Sequence, residues 1–384
     1  MTRRRMSRVT AGSSPAIPAR MKAAAIDRFG PPSTLTLHDV PVPTPGPHEV
    51  LIALETAGIG SWDTSIRDGS LRQPGRPRFP LVPGVDGAGV VVAKGARVRR
   101  FRLGDHVYAY EWGNRQGGFY AEFAAADAAH VARIPKSLDL RDAGAVATTG
   151  LTALQGIDVL ELRPGHTVLI FGASGAVGTM AVQFAAQRGA HVIATASGSA
   201  AARLVRTLGA QRVIDARRAE SIDQLRRFAS AGLDRVLAFA GGDGLERCLD
   251  FVRPGGRVVY PNGIEPVPSK RRTFRVQAFD MVASPRQFER LNRHLTEGRI
   301  RVPITARYSL GKPPRRIGDW LGNTCWAGWS CRYVADLDDT RSVDVVTIHN
   351  SLAHQSNWHH GRPPVGSQFR SHSAPRRTPR NSAE

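Results

Sequence analysis

Three glycines, Gly172, Gly175 and Gly178, directly follow the apolar run Thr167–Phe171. Glycines at such a turn let the backbone bend sharply, let a pyrophosphate approach the amide groups, and let the next helix pack close to the strand. The first N–H groups of that helix and the positive end of its dipole would then face the phosphates. The strand, turn and helix order favours dinucleotide binding over a purely structural turn. The predicted contacts are Gly172, Ser174, Gly175, Ala176, Val177 and Gly178.

The residues at the end of the next strand indicate which dinucleotide is bound. NAD sites place an acid about 20 residues after the turn, where it bonds the ribose 2′-hydroxyl. Here the segment Ala194–Ser199 contains no acid, and Arg203 and Arg206 follow on the next helix. Small hydroxylated residues and arginines would accept a 2′-phosphate, so the sequence favours NADPH, with Ser197 and Arg203 as contacts. The alternative is that both arginines only face solvent.

Two regions with different periodicity must position these residues. From Met21 to about residue 145, short apolar runs separated by Pro and Gly predict a small β-barrel-like domain. From about residue 146, strands alternate with helices, which is typical of a parallel sheet. The predicted segments are strands Glu49–Thr56, Gly87–Val92, His106–Tyr110, Ala121–Ala125, His166–Phe171, His191–Ala196, Arg212–Ile214, Arg235–Phe239 and Arg257–Tyr260, and helices Ala176–Arg188, Ala200–Leu208, Gly244–Phe251 and Pro285–Glu297. We predict domains at 21–145 and 146–275, with 276–310 returning to the first.

Composition limits the functional class. A chain of 384 residues is long enough for two domains, and no apolar run approaches the roughly 20 residues needed to cross a bilayer. The three cysteines are too few for a disulfide framework, which favours a reducing, cytoplasmic setting. The net charge of +21 forms no dense basic block with interleaved aromatic residues, so we predict no specific nucleic-acid partner.

Residues 1–20 contain five arginines and no acidic residue, and they show no periodicity. We predict a disordered extension, or a true start of translation at Met21. An organelle transit peptide is the alternative.

Taken together, these motifs resemble the medium-chain dehydrogenase/reductase superfamily, in particular its quinone oxidoreductase-like branch. The resemblance covers about residues 21 to 310. It implies an α/β protein, in which a GroES-like β-barrel catalytic domain and a Rossmann domain with a doubly wound parallel sheet enclose a cleft. The segments that carry it are Gly58–Gly69, Pro83–Gly89, Gly104–Tyr108, Thr149–Leu154, the glycine turn and Arg253–Val259.

The resemblance also bears on metal binding. Zinc alcohol dehydrogenases of this superfamily hold their ion with a Cys in the first motif and a His in the second, where this chain has Gly60 and Val85. Neither residue can donate to zinc. We therefore predict an enzyme without a metal that uses NADPH to transfer hydride to a quinone or to an activated C=C or C=O acceptor.

Several residues are cleft candidates by the same resemblance. Ser61, Asp63 and Tyr108 are the catalytic candidates, Trp62 also lines the cleft, and Thr149 would lie by the nicotinamide ribose. Asp63 is also expected to form a structural ion pair with Arg67. Quinone reductases commonly have an Asn in place of Gly60 and tyrosines near Ser65 and Leu71, so the chain departs from them there.

Other readings stay open at this stage. They are a catalytically impaired dinucleotide-binding or RNA-binding relative, an alcohol dehydrogenase-like enzyme, and an enoyl reductase domain of a larger synthase. Dimerisation is common in such enzymes, so a homodimer is one expected assembly.

The segment after Leu310 does not resemble the family. Trp320, Trp326 and Trp329 fall within ten residues and a polar tail follows, where the family has a helix and a closing strand. A neighbouring reading frame with GC-rich codons gives EAAEAHRRLAREHVLGGMVLPV after Gly311, which has the missing pattern. We therefore hypothesise a frameshift by loss of one G, with residues 311–384 a non-family tail. The expected consequences are an unpaired sheet edge and disorder from Asp344 onward.

Overall fold

The computed structural model describes residues 17–71 and 75–310 and the backbone of 344–348. All of them belong to the compact unit Met1–Leu352, and the second unit, Ala353–Glu384, lies outside the described residues. The strands are β1 (Arg20–Ile26), β2 (Leu35–Pro41), β3 (Glu49–Ile59), β4 (Asp86–Lys94), β5 (His106–Tyr110), β6 (Phe123–Asp127), β7 (Val131–Arg133), β8 (Thr167–Phe171), β9 (His191–Thr195), β10 (Arg212–Ile214), β11 (Leu233–Ala238), β12 (Val252–Pro261), β13 (Arg275–Phe279), β14 (Ile304–Ser309) and β15 (Asp344–Ile348). The helices are α1 (Ser61–Asp68), α2 (Leu140–Ala143), α3 (Ala147–Val159), α4 (Ala176–Gln187), α5 (Gly198–Thr207), α6 (Ser221–Phe228), α7 (Asp243–Leu249) and α8 (Pro285–Glu297).

A six-stranded parallel sheet forms the second half of the molecule, in the order β10-β9-β8-β11-β12-β13. Its central strand β8 is nearly all buried, as expected for a sheet covered on both faces by helices. The chain runs outward from β8 to β10 and then returns to β11 on the other side. This reversal confirms the predicted Rossmann architecture and leaves a crevice at the carboxyl ends of the strands.

The first half is built on antiparallel strands. The long β3 pairs with β4 and β6, and β5 joins β4 to β7. Their inward side chains form a core with the β1–β2 pair, in which Phe101, Phe119 and Tyr120 are the largest fully buried members. This arrangement confirms the predicted GroES-like domain.

The boundary predicted at residue 275 is wrong. Strand β13 pairs with β12, in register from Arg257↔Arg275 to Pro261↔Phe279, and therefore extends the parallel sheet to Phe279. Helix α8 follows and buries Phe288, Leu291 and Leu295 in the same core as α3 and α4. The return to the first domain is complete only at β14.

The edge of the first domain also differs from the expectation. Strand β15 pairs in parallel with Thr56–Ile59 of β3 and antiparallel with β14. The expected unpaired edge, and disorder at Asp344–Ile348, are therefore wrong. The polar composition of the whole tail hid a local run of β-branched residues that suits a strand. Residues 311–343 and 349–384, where the rest of that prediction falls, lie outside the described residues.

No helix in the described part of the chain is long and apolar enough to cross a membrane.

Candidate cofactor and active site

The glycine turn joins β8 to α4 with the geometry that a bound pyrophosphate needs. Gly172 has φ of +78°, and a Cβ on Gly178 would lie 2.2 Å from the Gly172 carbonyl oxygen. Helix α4 begins at Ala176, and among the described residues no side chain caps it. Its first N–H groups therefore have no side-chain acceptor and can take phosphate oxygens.

Thr195, at the end of β9, is a site residue that the sequence did not single out. The Gly172 N–H donates to Thr195 Oγ1 at 2.8 Å, and Thr195 is buried. This bond ties the turn to the neighbouring strand. Within the turn, Ser174 is also buried and Val177 packs against the adjoining core, so their predicted cofactor contacts would be made largely through the backbone.

An acid that the sequence analysis overlooked lies beside Ser197. Ser197 Oγ donates to Asp215 Oδ1 at 3.4 Å, from just after β10. Partial burial acts to raise the pKa of Asp215, but hydrogen bonds from Arg217 and Ser197 hold it below its usual value. The segment at the end of β9 contains no acid, as the sequence shows. The residue after β10, Asp215, nevertheless places a carboxylate beside Ser197.

A cavity of about 250 Å³ lies next to this acid. Arg206 and Arg218 line it together with Ser199 and Asp215. Arg203, the arginine predicted to contact the cofactor, is exposed on α5 and lies outside that lining. The structure therefore brings Ser197 and Arg206, but not Arg203, to this cavity wall or its rim.

Thr149 lies in the first turns of α3 and is 4% exposed. Its hydroxyl donates to the Ala145 carbonyl oxygen at 2.7 Å, so only the oxygen lone pairs remain for a ligand. A contact with the nicotinamide ribose stays a prediction.

Asp63 holds the start of α1 in place. Its fully buried carboxylate accepts the Gly60 N–H at 2.8 Å and the Tyr120 hydroxyl at 2.9 Å. Burial raises the pKa of Asp63 to about 7, although both hydrogen bonds oppose the shift. The predicted ion pair with Arg67 is wrong, because the Arg67 guanidinium instead donates to the Gly30 carbonyl oxygen at 3.1 Å. Both residues are structural, and they hold α1 by separate bonds.

Trp62 determines what residue 60 can be. A Cβ on Gly60 would lie 2.1 Å from the Trp62 indole, so the ring occupies the space of a side chain there. Trp62 Nε1 is buried and has no hydrogen-bond partner among the described residues. Ser61, beside it at the start of α1, is exposed. Both are donors beside Gly60 for which the described part of the chain shows no acceptor.

Tyr108 lies inside the core, between β5 and α8. It is fully buried, its hydroxyl donates to Asn292 Oδ1 of α8 at 2.7 Å, and its ring meets Phe288 edge-on at 5.3 Å. Burial raises the pKa of Tyr108 above its usual value. This hydrogen bond holds the Tyr108 hydroxyl between β5 and α8, which argues against a catalytic role, and that role stays a prediction.

The side chains at these positions do not fit a zinc ion. Gly60 offers no donor, Trp62 fills its space, and Val85 is a buried aliphatic residue. Zinc needs thiolate, imidazole or carboxylate ligands. Within the described ranges, no three His, Cys, Asp or Glu side chains are grouped so that they could hold a metal ion.

Asp86, the first residue of β4, is a second buried acid. It is 1% exposed, and its Oδ2 accepts the Thr148 N–H of α3 at 3.1 Å. Burial raises the pKa of Asp86 to about 6. A Cβ on Gly58 would lie 2.5 Å from Asp86 Oδ1, so the glycine makes room for this carboxylate. The bond joins the antiparallel sheet to the helix that precedes the Rossmann sheet.

A GroES-like domain and a parallel sheet with an uncapped glycine turn at the carboxyl end of its central strand define a class, the two-domain dinucleotide-binding oxidoreductases. Comparison with known proteins agrees and narrows the class. The alcohol dehydrogenase GroES-like domain model matches residues 46–136, and the zinc-binding dehydrogenase model matches residues 176–297. The chain belongs to the medium-chain dehydrogenase/reductase superfamily, as a quinone oxidoreductase-like member.

Individual relatives support this membership. A quinone oxidoreductase from Lama guanicoe is 34% identical over 250 residues, 64% of this chain and 74% of the relative. An alcohol dehydrogenase from Rhizobium meliloti strain 1021 is 33% identical over 262 residues, 62% of this chain and 75% of the relative. The solved structure of the quinone oxidoreductase from Coxiella burnetii is similar with a TM-score of 0.68 at 25% identity, over 86% of this chain and 99% of its own.

Proposed function

We propose that the chain is a zinc-independent, NADPH-dependent oxidoreductase that reduces a quinone or an activated C=C or C=O bond. The observation that carries this proposal is the Trp62 indole in the space of a side chain at Gly60. With glycine at residue 60 and valine at residue 85, there is no thiolate or imidazole at these positions to bind a Lewis acid. An acceptor is then needed whose reduction does not depend on one. Quinones and enones meet this requirement because the anion formed is delocalised.

The residues near Gly60 suit such an acceptor. A nicotinamide, when bound, supplies the hydride. The exposed Ser61 hydroxyl and the unpaired Trp62 Nε1–H are donors that we assign to the acceptor oxygen. Donors aimed at an oxygen where charge develops stabilise the transition state. Asp63 is a positioning residue, because its carboxylate fixes the first turn of α1 that presents both donors.

Alcohol oxidation is the second candidate, supported by relatives that are alcohol dehydrogenases. The lack of zinc donors at residues 60 and 85 argues against it, because an unactivated alcohol needs a Lewis acid or a base close to its hydroxyl. The relatives include both quinone oxidoreductases and alcohol dehydrogenases, so the assay must measure acceptor reduction with NADPH and alcohol oxidation with NADP⁺.

The test is oxidation of NADPH with a panel of quinones, 2-alkenals and enones, followed at 340 nm by absorbance, alongside alcohol oxidation with NADP⁺ with and without added zinc. We expect turnover of a quinone or an enone that is unchanged by a chelator, and no metal in the purified protein by mass spectrometry. Alcohol oxidation that depends on zinc would overturn the zinc-independent proposal. Tight NADPH binding with no turnover of any acceptor would instead favour the catalytically impaired relative.

The frame of the C-terminal segment is a further proposal. We propose that the sequence after Gly311 reads EAAEAHRRLAREHVLGGMVLPV in the intact frame, and that its apolar strand would compete for the β3 edge where β15 now pairs. Resequencing the coding DNA tests this directly. The assay above therefore uses both the chain as written and the restored chain.

A homodimer in the cytoplasm is the proposed assembly and location. Light scattering on the restored chain and on the chain as written tests the assembly, since a monomer in both would contradict it.

A further inference from the structure

The cavity near Ser197 lies where the adenosine end of a dinucleotide is expected. Its walls come from the carboxyl ends of β9 and β10, from one face of α5 that runs from Ser199 in the first turn to Arg206 in the last, and from Gln224 of α6. In open parallel sheets, ligands bind in the crevice outside the carboxyl ends of the strands. The pyrophosphate turn follows β8, the next strand in the sheet, so a dinucleotide that extends across the sheet places its adenosine ribose at this cavity.

Two arginines give this cavity a positive wall. Arg206 comes from the last turn of α5, lines the cavity, and has no carboxylate partner among the described residues. Arg218 comes from the loop after β10, is largely exposed, and lies 3.8 Å from the Asp215 carboxylate through its Nε. Two guanidinium groups from separate elements can hold the oxygens of one phosphate from two sides.

Asp215 is the one carboxylate in this lining, and it would oppose a phosphate. A bare acid here would repel a 2′-phosphate and accept a hydrogen bond from a 2′-hydroxyl, as acids do in NAD sites. Arg217 prevents this, because its guanidinium forms two parallel bonds of 3.0 Å to the two Asp215 oxygens and its N–H adds a third at 3.2 Å. The pair is close to neutral, so the positive charge of Arg206 and Arg218 remains for the ligand.

We infer that Arg206 and Arg218 form a site for the 2′-phosphate of NADPH, and that the Asp215–Arg217 ion pair sets the preference for NADPH over NADH. This inference rests on the proposed function and deepens its choice of cofactor. Arg217 is a positioning residue, since it acts on the cofactor by neutralising and orienting Asp215. The preference therefore depends on a pair of residues from the third strand, although the second strand lacks the acid that usually decides it.

The test measures the dissociation constants of NADPH and NADH by fluorescence titration on the full chain and its variants. In Arg217→Gln the freed Asp215 carboxylate faces the phosphate, so we expect the preference for NADPH to fall by about tenfold or more. Asp215→Asn in that background removes the charge and is expected to restore the preference to within about threefold of the unmodified chain. Arg206→Gln and Arg218→Gln are each expected to weaken NADPH about tenfold and to leave NADH unchanged.

A matched control is available on α6. Arg226 also forms a surface ion pair, with Asp223 at 2.9 Å, and its guanidinium lies over Phe251, outside the cavity lining. Arg226→Gln removes the same charge and should not change the preference. Arg217→Lys keeps the charge and should retain most of it, which separates the effect from any loss of folding.

The outcomes separate this inference from the proposed function. If the unmodified chain binds NADH as tightly as NADPH, the cofactor choice in the proposed function fails and this inference fails with it. If the unmodified chain prefers NADPH but Arg217→Gln keeps that preference, or Asp215→Asn does not restore it, only the role of the ion pair is overturned.

Discussion

At the scale of single residues, several polar side chains of catalytic types are buried and have a structural role. Asp63 and Tyr108 are typical catalytic residue types, but the structure commits both to internal hydrogen bonds. Gly60 and Val85 could be judged from sequence alone, because a missing metal ligand is visible without a structure. That the Trp62 ring, two residues further on, fills the space beside Gly60 is visible only in the structure.

The raised pKa of Asp63 predicts how stability depends on pH. In the unfolded chain this carboxyl ionises near 3.8, whereas in the fold it stays protonated up to about 7. The folded state therefore binds more protons between these values, so this group lowers the free energy of unfolding as pH rises from about 4 to about 7. The slope from one group is at most about 1.4 kcal/mol per pH unit.

Asp63→Asn removes the ionisation while keeping an oxygen to accept the Gly60 N–H. We expect urea unfolding of this variant to lose part of the decline in stability seen for the unmodified chain between pH 5 and 7. Asp68→Asn, an exposed acid on the same helix, is the control and should leave the decline unchanged. Identical pH dependence in the unmodified chain and Asp63→Asn would contradict a raised pKa at this residue.

At the scale of elements, segments with a clear period or with a glycine turn beside them were predictable, and α3 was not. Strand β5 and helix α8 have the bounds that their patterns predict. Helix α3 was missed because nearly all of its residues are buried, so it shows no polar face. Helix α1 was recognised only as a motif, since its eight residues are too few to show a period. Asp215 and Tyr120 reach the site from other elements, and no local pattern marks such contacts.

The hydrogen bond from the Gly172 N–H to Thr195 Oγ1 links two elements, because Gly172 follows β8 and Thr195 ends β9. Thr195→Val keeps the shape but removes the acceptor of the Gly172 N–H, so that a buried donor is left unpaired. We expect the variant to lose about 1–3 kcal/mol of stability and to bind NADPH several-fold more weakly, because the turn is no longer fixed. Thr195→Ser keeps the hydroxyl and is expected to retain both properties better than Thr195→Val. Calorimetry and fluorescence titration measure the two effects, and equal results for both variants would refute the role of the bond.

At the scale of the whole molecule, the edge of the antiparallel sheet should set the stability. In the chain as written, this edge of β3 is paired with four residues of β15, Asp344–Thr347. The restored frame supplies a helix and an apolar strand, which together would bury more apolar surface. We expect the restored chain to melt several degrees higher by calorimetry, since about 1 kcal/mol corresponds to 2–4 °C in a domain of this size. A chain ended after Leu310 is the control and should melt below both. A restored chain no more stable than the chain as written would refute the frame hypothesis.

The Tyr108–Asn292 bond has a consequence for how the protein can be divided. Tyr108 comes from the antiparallel sheet, yet it shares one core with α3, α4 and α8 of the Rossmann half. Separating the two halves would expose Phe288 and Leu291 to solvent and would leave the Tyr108 hydroxyl without its hydrogen-bond partner Asn292. The nucleotide-binding half is therefore not a portable module. We therefore expect the two halves to unfold together, and a change at Tyr108 of β5 to destabilise the nucleotide-binding half as well.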